Sequence, residues 1–217
     1  MFRKKKTYAP FALARETLSK IRINLSFLDL DKNIKCMMIT SAVPGEGKSF
    51  LTANLAKSFA SDNKRVLVID ADMRHASQQE YFRLDNRNGL SGCIASCDEW
   101  KKCLNRTATA GLYVLAAGRT PPDPAAMLAS AHMKALLEEM RQQFDYILID
   151  TPPVLSVPDA VALTRYSDAV LLVTRWGKTP KQAVTDAKRI LALANAPLLG
   201  AVLNNSRPLG GYYHNYN

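Results

Sequence analysis

The sequence has few cysteines and no long apolar run. Four of its 217 residues are cysteines, and they lack the paired C-x2-C spacing of zinc sites; they are Cys36, Cys93, Cys97 and Cys103. We therefore expect reduced thiols that fill the core and no metal bound through cysteine. No segment has the ~18 consecutive apolar residues that span a bilayer, and the N-terminal Met1-Phe-Arg-Lys-Lys-Lys lacks the apolar stretch of a signal peptide. The expected location is the cytoplasm.

Composition excludes further classes of protein. With 47% hydrophobic residues, 10 Gly and 11 Pro, the chain is neither collagen-like nor disordered, and its length suits one compact domain. The net charge of +10 is uneven, because residues 1–22 contain seven Lys/Arg and a single acid, Glu16. A basic arm of this kind contacts anionic lipid or nucleic acid in some proteins and is only a solvated leader in others. We expect no nucleic-acid partner.

Short apolar runs alternate with helical segments from residue 35 onward. The runs predict strands over residues 35–41, 65–70, 112–116, 145–150, 169–174 and 198–203. This alternation is typical of α/β folds, in which a mostly parallel sheet is flanked by helices. The helices are predicted over residues 10–28, 47–61, 124–142, 157–166 and 179–194. Asp123 and Thr179, each followed by proline, are the expected caps of the third and fifth helices.

A glycine-containing loop joins the first predicted strand to the next helix. It reads Ser41-Ala-Val-Pro-Gly-Glu-Gly-Lys-Ser49. In this setting main-chain N–H groups and the helix dipole form a phosphate cradle, and glycines let the backbone approach closely. Lys48 is expected to reach the β- and γ-phosphates of a nucleotide, and Ser49 to bind Mg2+. The usual motif begins with glycine, whereas this sequence has Ala42, so the match is to a relaxed P-loop.

Two other predicted strands end in aspartate. Asp70 and then Asp72 follow the run Val66-Leu-Val-Ile, and Asp150 follows Tyr146-Ile-Leu-Ile. Ligands of open α/β sheets bind at the carboxyl ends of the strands, which places these carboxylates beside the phosphates. Asp150 ends a strand that resembles a Walker B strand, whose aspartate holds Mg2+ through water. Either aspartate alone is equally consistent with a simple turn, but three features at one sheet edge indicate a nucleotide site.

Further short motifs accompany these strand ends, and they are Asp70-Ala-Asp-Met-Arg74, Gly89-Leu-Ser91, Pro121-Pro122, Asp150-Thr-Pro-Pro153 followed by Asp159, Arg175-Trp-Gly-Lys-Thr179 and a C-terminal tyrosine cluster. Over essentially its whole length the sequence resembles the bacterial tyrosine kinases of capsule and exopolysaccharide synthesis. These are P-loop proteins related to the partition and cell-division ATPases. Partition ATPases carry an extra lysine early in the loop, where this chain has Val43.

The resemblance implies ATP and Mg2+ as cofactors and a role for each site residue. The residues expected to bind the nucleotide are Pro44, Gly45, Glu46, Gly47, Lys48, Ser49, Phe50, Asn204 and Arg207. Ser49, Asp72 and Asp150 would hold the metal ion. Asp70 would accept the proton of the attacking tyrosine, and with Lys48, Asp72 and Asp150 it forms the expected catalytic set. The choice between Asn204 and Asn205 for contacting adenine stays open, since both could simply end a strand.

The last residues favour a kinase over a nucleotide switch. Tyr212, Tyr213 and Tyr216 follow two glycines, and similar kinases phosphorylate such tyrosines between the subunits of a ring. An aromatic tail can also serve only as a packing element. The expected organisation is a basic arm and oligomerisation helix over residues 1–30, a P-loop kinase domain over 31–207 and a flexible tyrosine-rich tail over 208–217.

Assembly and partners are also implied by the resemblance. The family's oligomerisation motif Glu-x2-Arg-x2-Arg corresponds to Glu16, Ser19 and Arg22, so its first arginine is absent. A ring, possibly an octamer, is expected, together with tyrosine-containing protein substrates. A transmembrane activator of the polysaccharide co-polymerase type is expected to recruit the protein to the inner face of the cell membrane.

Two alternative functions remain open from the sequence. The first is a partition-like ATPase whose nucleotide state controls dimerisation and binding to membrane or nucleoid, without tyrosine kinase activity. The second is a nucleotide-binding scaffold without catalysis, which the complete set of Lys48, Asp70, Asp72 and Asp150 disfavours.

Overall fold

A single seven-stranded sheet organises the protein. The computed structural model describes residues 10–29, 33–96 and 100–206. The strands are β1 Cys36–Ser41, β2 Val66–Asp70, β3 Asn105–Arg106, β4 Leu112–Leu115, β5 Tyr146–Asp150, β6 Ala169–Arg175 and β7 Leu198–Asn204. Their order is β3-β4-β2-β5-β1-β6-β7. Every pairing is parallel except β3 with β4, so the predicted fold class is confirmed. The sequence analysis missed β3, which is too short for a periodic pattern.

Helices cover both faces of the sheet. They are α1 Pro10–Asp29, α2 Lys48–Ala60, α3 Gln78–Phe82, α4 Leu90–Ser96, α5 Pro124–Leu128, α6 Ala131–Gln143, α7 Asp159–Thr164 and α8 Lys181–Leu193, with a 3-10 helix at Trp100–Cys103. One core cluster joins α1 and α2 to the sheet, through residues such as Leu25, Leu55 and Phe59. The other cluster packs five helices, α4, α5, α6, α7 and α8, against the opposite face of the sheet, through residues such as Leu128 and Leu163. Within the described ranges, no helix has the length and apolar content needed to span a membrane.

The cysteines that the structure describes are free thiols. Cys36 and Cys93 are buried, and Cys103 is half-buried. Burial raises the pKa of the Cys36 thiol to about 12, so this thiol stays protonated and inert. The expectation of core-filling thiols is confirmed for Cys36 and Cys93, while Cys97 lies outside the described residues.

Two details of the predicted helices are wrong. The single helix predicted over 124–142 is two helices, because the Ser130 side chain caps a new one by accepting a hydrogen bond from the Met133 N–H (3.2 Å). The predicted cap at Asp123 is confirmed, since its side chain accepts from the Ala126 N–H (3.0 Å). Thr179 does not cap α8; Pro180 occupies that position, and the Thr179 hydroxyl bonds to Glu46 instead.

Hydrogen bonds and an ion pair of Asp168 join the starts of β1 and β6 to α6. This contact lies at the end of the strands opposite the P-loop. Asp168, just before β6, accepts hydrogen bonds from the main-chain N–H groups of Lys35 (2.9 Å) and Cys36 (2.7 Å). Arg141 of α6 donates to both of its carboxylate oxygens, at 2.8 and 2.9 Å. Burial opposes ionisation, but these donors outweigh it and lower the pKa of Asp168.

We expect Asp168→Asn to lower the free energy of unfolding by about 2–3 kcal/mol at neutral pH, since Arg141 loses its charged acceptor. Because the folded-state pKa of Asp168 is depressed, its contribution is present above the ordinary carboxyl pKa of about 4 and is lost as pH falls through the folded value. Urea unfolding of parent and variant at pH 7 and pH 3 should therefore give a difference that narrows in acid. An equal difference at both pH values would contradict this account.

Candidate functional site

The topology brings the acidic strand ends next to the P-loop. Strand β5 lies between β1 and β2, so its Asp150 is a neighbour of both strands. In the register Asp150 is paired with Asp70 of β2 on one side and with Ile39 of β1 on the other. The shared edge was predicted from the sequence, whereas the order and register of the strands come from the structure.

The P-loop has a conformation that requires glycine. Gly45 and Gly47 have φ angles of +79° and +92°, in the left-handed region that disfavours other residues. Gly47 also precedes α2 directly, and a Cβ atom at this position would lie 2.1 Å from the Asn204 side-chain nitrogen. The loop and the end of β7 are therefore packed too closely for a larger residue at position 47.

Side chains from neighbouring elements brace the loop. The buried Glu46 carboxylate accepts a hydrogen bond from the Val43 N–H (3.0 Å) and another from the Thr179 hydroxyl. Asn204 donates to the main-chain oxygen of Glu46 (2.8 Å), and Arg175 donates to that of Gly45 (3.1 Å). These bonds hold the loop in shape before a phosphate arrives, which favours tight binding because less ordering remains to be done.

Lys48 lies among carboxylates at the start of α2. Its Nζ is 2.9 Å from Asp72 Oδ2 and 3.5 Å from Ser49 Oγ. Burial disfavours the ammonium, but the charges of Asp150 and Asp72 outweigh it, so the pKa of Lys48 is raised. The amine is therefore fully charged at neutral pH and available to an anionic ligand.

Asp70 is enclosed by main-chain donors. Its Oδ1 accepts from the Asp72 N–H (3.1 Å), and its Oδ2 accepts from the N–H groups of Ser77 and Gln78 (both 2.9 Å). Burial, and next the charge of Asp150, raise the pKa of Asp70 to about 7, against the opposing effect of those main-chain bonds. A general base works best when its pKa is near the operating pH, so this carboxylate suits that task.

Asp150 is also fully buried, and one of its two oxygens has a hydrogen-bond donor among the described residues. Its Oδ2 accepts a hydrogen bond from Gln78 Nε2 (2.8 Å), while Oδ1 has no partner among the described residues. Burial raises the pKa of Asp150, although the charge of Lys48 opposes this. The Asp150 carboxylate and the Ser49 hydroxyl, whose interaction with it lowers the pKa of Asp150, are the hard oxygen ligands that Mg2+ prefers.

The described residues contain no group of three His, Cys, Asp or Glu that would cage a metal ion. Mg2+ is usually held by one or two protein ligands together with phosphate oxygens and water. The donors at Ser49 and Asp150 fit that mode of binding.

The structure thus brings together the predicted residues Lys48, Ser49, Asp70, Asp72 and Asp150. Asp70 and Asp72 have different partners: Asp70 accepts from main-chain N–H groups, whereas Asp72 bonds Lys48. Strand β2 ends at Asp70, and Asp72 lies in the segment beyond it.

Other predicted residues have different surroundings. Phe50 is half-exposed, with its ring edge-on to Tyr81 at 6.5 Å. Glu16 pairs with Lys20 (2.8 Å), and Arg22 forms an ion pair with Asp62 of the same chain. Arg207 and the three tail tyrosines, Tyr212, Tyr213 and Tyr216, lie outside the described residues.

Sequence reasoning missed three contributors to the site. Gln78 is fully buried against Asp150, and no sequence pattern marked it. Thr179 was assigned to a helix end, although it bonds Glu46. Arg74 forms a two-pronged ion pair with the buried Asp159, at 2.9 and 3.1 Å, which ties the segment after β2 to α7. Arg74 and Asp159 each belong to a short motif of the sequence, and these motifs were the signal that could have identified the pair.

Comparisons with known proteins agree with this architecture. The sequence matches the family described as AAA domain over residues 34–193. Tyrosine-protein kinase YwqD of Bacillus subtilis is 40% identical over 198 residues, which cover 91% of this chain and 84% of YwqD. The putative tyrosine-protein kinase CapB of Staphylococcus aureus is 36% identical, over 100% of this chain and 99% of CapB. The solved kinase domain of the Escherichia coli tyrosine kinase ETK superposes with a TM-score of 0.86 at 32% identity, over 99% of this chain and 88% of that domain.

Proposed function

Since the chain belongs to the family of bacterial tyrosine kinases, we propose that it transfers the γ-phosphoryl group of ATP to tyrosines in the C-terminal tail of a neighbouring subunit. This phosphorylation regulates capsule or exopolysaccharide synthesis and export. The observation that carries the proposal is the cluster of Lys48, Asp70, Asp72 and Asp150 beside a preformed P-loop. Phosphoryl transfer depends mainly on positioning and charge stabilisation, so these groups suffice for it.

Each residue has a distinct task in the proposed reaction. The main-chain N–H groups of the P-loop, whose shape Glu46 and Asn204 maintain, hold the phosphates. Lys48 exchanges its bond with Asp72 for phosphate oxygens and stabilises charge on the transferred group. Bound Mg2+, held by Ser49, Asp150 and, once Lys48 has moved, Asp72, would neutralise phosphate charge.

Asp70 is the proposed proton acceptor. Tyrosine is a weak nucleophile because its pKa is about 10, and a carboxylate with a pKa near neutrality can take its proton as the bond to phosphorus forms. Among the described residues, Oδ1 of Asp70 accepts one hydrogen bond, and a carboxylate oxygen can accept two. The group therefore retains acceptor capacity while its orientation is fixed.

Assembly and partners form part of the proposal. Transfer between subunits needs a ring in which one subunit presents its tail to the next, with Glu16 and Arg22 of α1 as contact residues, and Asn204 and Arg207 next to the adenine. The seven basic residues among the first 22 suit a location at an anionic membrane surface. A transmembrane activator is the proposed partner there, and tyrosine-containing proteins are the other substrates.

Replacing Tyr212, Tyr213 and Tyr216 together by Phe is expected to remove nearly all phosphotyrosine formed during incubation with Mg-ATP. Phenylalanine keeps the rings for packing but lacks the acceptor hydroxyl. Phosphotyrosine mapping by mass spectrometry checks the result, and the initial rate for the parent should rise more than linearly with protein concentration, since transfer requires two subunits. A matched control is the Tyr8→Phe variant, which should behave as the parent.

If the triple variant acquires as much phosphotyrosine as the parent, the tail is not the acceptor. If neither protein acquires any while ATP is hydrolysed, the partition-like ATPase is the better description. The basic N-terminal arm is the feature that favours this second candidate, because it could bind membrane or nucleoid under nucleotide control.

A further inference from the structure

Gln78 makes hydrogen bonds to three parts of the site, although no role has been assigned to it. Its side-chain nitrogen Nε2 donates to Asp150 Oδ2 (2.8 Å) and to the main-chain oxygen of Ser49 (3.1 Å). Its main-chain N–H donates to Asp70 Oδ2 (2.9 Å). One fully buried residue thus connects the start of α2 with the ends of β5 and β2.

These contacts determine the orientation of the carboxamide. Asp150 Oδ2 and the Ser49 carbonyl are both acceptors, and an amide nitrogen has two protons to give. Oε1 of Gln78 is consequently placed on the other side of the amide, where it is buried and has no partner among the described residues. Asp150 Oδ1 is in the same condition. Oε1 of Gln79 and Oγ of Ser77 also lack a partner among the described residues, so the inference rests on the contacts that the Gln78 amide makes with Asp150 and Ser49.

We propose that Gln78 is the positioning residue of the magnesium site. By donating to Oδ2, its amide directs the remaining oxygen of Asp150, Oδ1, to the cation, and by donating to the Ser49 carbonyl it fixes the distance between the two metal-binding segments. Residues that orient metal ligands from outside the coordination shell typically change metal affinity 10–100-fold when they are replaced. This inference rests on the proposed function, because it requires a magnesium nucleotide in the P-loop.

The test compares binding of a fluorescent ADP analogue with and without Mg2+. In the Gln78→Met variant, which keeps the length of the side chain, the gain in affinity that Mg2+ confers should fall about tenfold. Binding without Mg2+ should change less than twofold, since the phosphate cradle is intact. Gln79→Met is the matched control, because Gln79 lies on the same helix and, among the described residues, its amide donates to the Ala76 carbonyl alone (3.0 Å). It should match the parent in both conditions.

A double-mutant cycle shows whether Gln78 acts through Asp150. In an Asp150→Asn background, adding Gln78→Met should change the Mg2+-dependent gain less than twofold, because the group that Gln78 orients no longer binds the cation. A full tenfold loss in both backgrounds, an equal loss with and without Mg2+, or no loss at all would overturn the inference. If the Met variant does not fold, Gln78→Asn replaces it, with the same expected results.

The cycle also separates this inference from the proposed function. If Asp150→Asn alone leaves the Mg2+-dependent gain unchanged, the metal site itself is wrongly assigned and the role of Gln78 falls with it. If Asp150→Asn abolishes the gain and Gln78→Met does not affect it, only the inference about Gln78 is wrong.

Discussion

Lys48→Met is expected to remain folded and to lose tyrosine phosphorylation by about 10²–10³-fold, the usual effect of removing one preorganised charge-stabilising donor. The ammonium bonds Asp72 at 2.9 Å and is largely buried, so it is held at the start of α2. Its loss removes charge stabilisation from the transferred group. Among the described residues, no other Lys or Arg side chain is bonded to Asp70, Asp72 or Asp150.

Phosphotyrosine formation per minute, measured at saturating Mg-ATP, checks this expectation. Lys57→Met is the control variant, because it removes a lysine from the same helix, where the ammonium lies over the Phe82 ring at 5.1 Å. Circular dichroism establishes that both variants are folded. Near-normal phosphorylation by folded Lys48→Met would disprove the P-loop assignment.

Asp70→Asn and Asp150→Asn are expected to fail in different ways. Oδ1 of Asp150 has no hydrogen-bond partner among the described residues and is a proposed ligand of Mg2+, so replacing Asp150 should weaken Mg2+-dependent nucleotide binding by about tenfold or more. Asp70 is bonded to main-chain groups of its own segment, so its replacement should leave nucleotide affinity close to normal and reduce the transfer rate about 10²–10⁴-fold, the usual contribution of a general base.

Titration of the fluorescent nucleotide and a single-turnover transfer assay separate the two effects. Ser77→Ala is a control that alters a side chain in the loop held by Asp70. It keeps the Ser77 main-chain N–H that donates a hydrogen bond to Asp70. An equal loss of nucleotide affinity in Asp70→Asn and Asp150→Asn would show that Asp70 is not the base.

Much of the fold followed from local sequence signals. Buried parallel strands are apolar throughout, so β1, β2, β5 and β6 were evident within a residue or two of their observed bounds. Ser130 shows the limit of such signals, because a serine within a run of good helix formers was not recognised as a second cap. Thr179 shows another limit, since its hydroxyl serves a partner 133 positions away in the chain.

The site was predictable where chemistry is local. Gly45, Gly47, Lys48 and Ser49 share one loop, and strand ends at a common edge pointed to Asp70 and Asp150. The pairing of Asp70 with Asp150 depends on β5 lying between β1 and β2, an order that no single segment encodes. Gln78 was missed for the same reason, because its partners come from three segments that only the folded sheet brings together.

The central claim is that this site transfers phosphate to tyrosine and does not merely hydrolyse ATP. The most direct test measures phosphotyrosine and free inorganic phosphate in one reaction with Mg-ATP, with the cytoplasmic segment of the proposed activator added. We expect phosphotyrosine to accumulate on the tail to at least one group per chain, and to form about 10²–10³-fold more slowly in the Lys48→Met variant. Release of inorganic phosphate without any phosphotyrosine in the parent protein would contradict the account and identify a nucleotide switch.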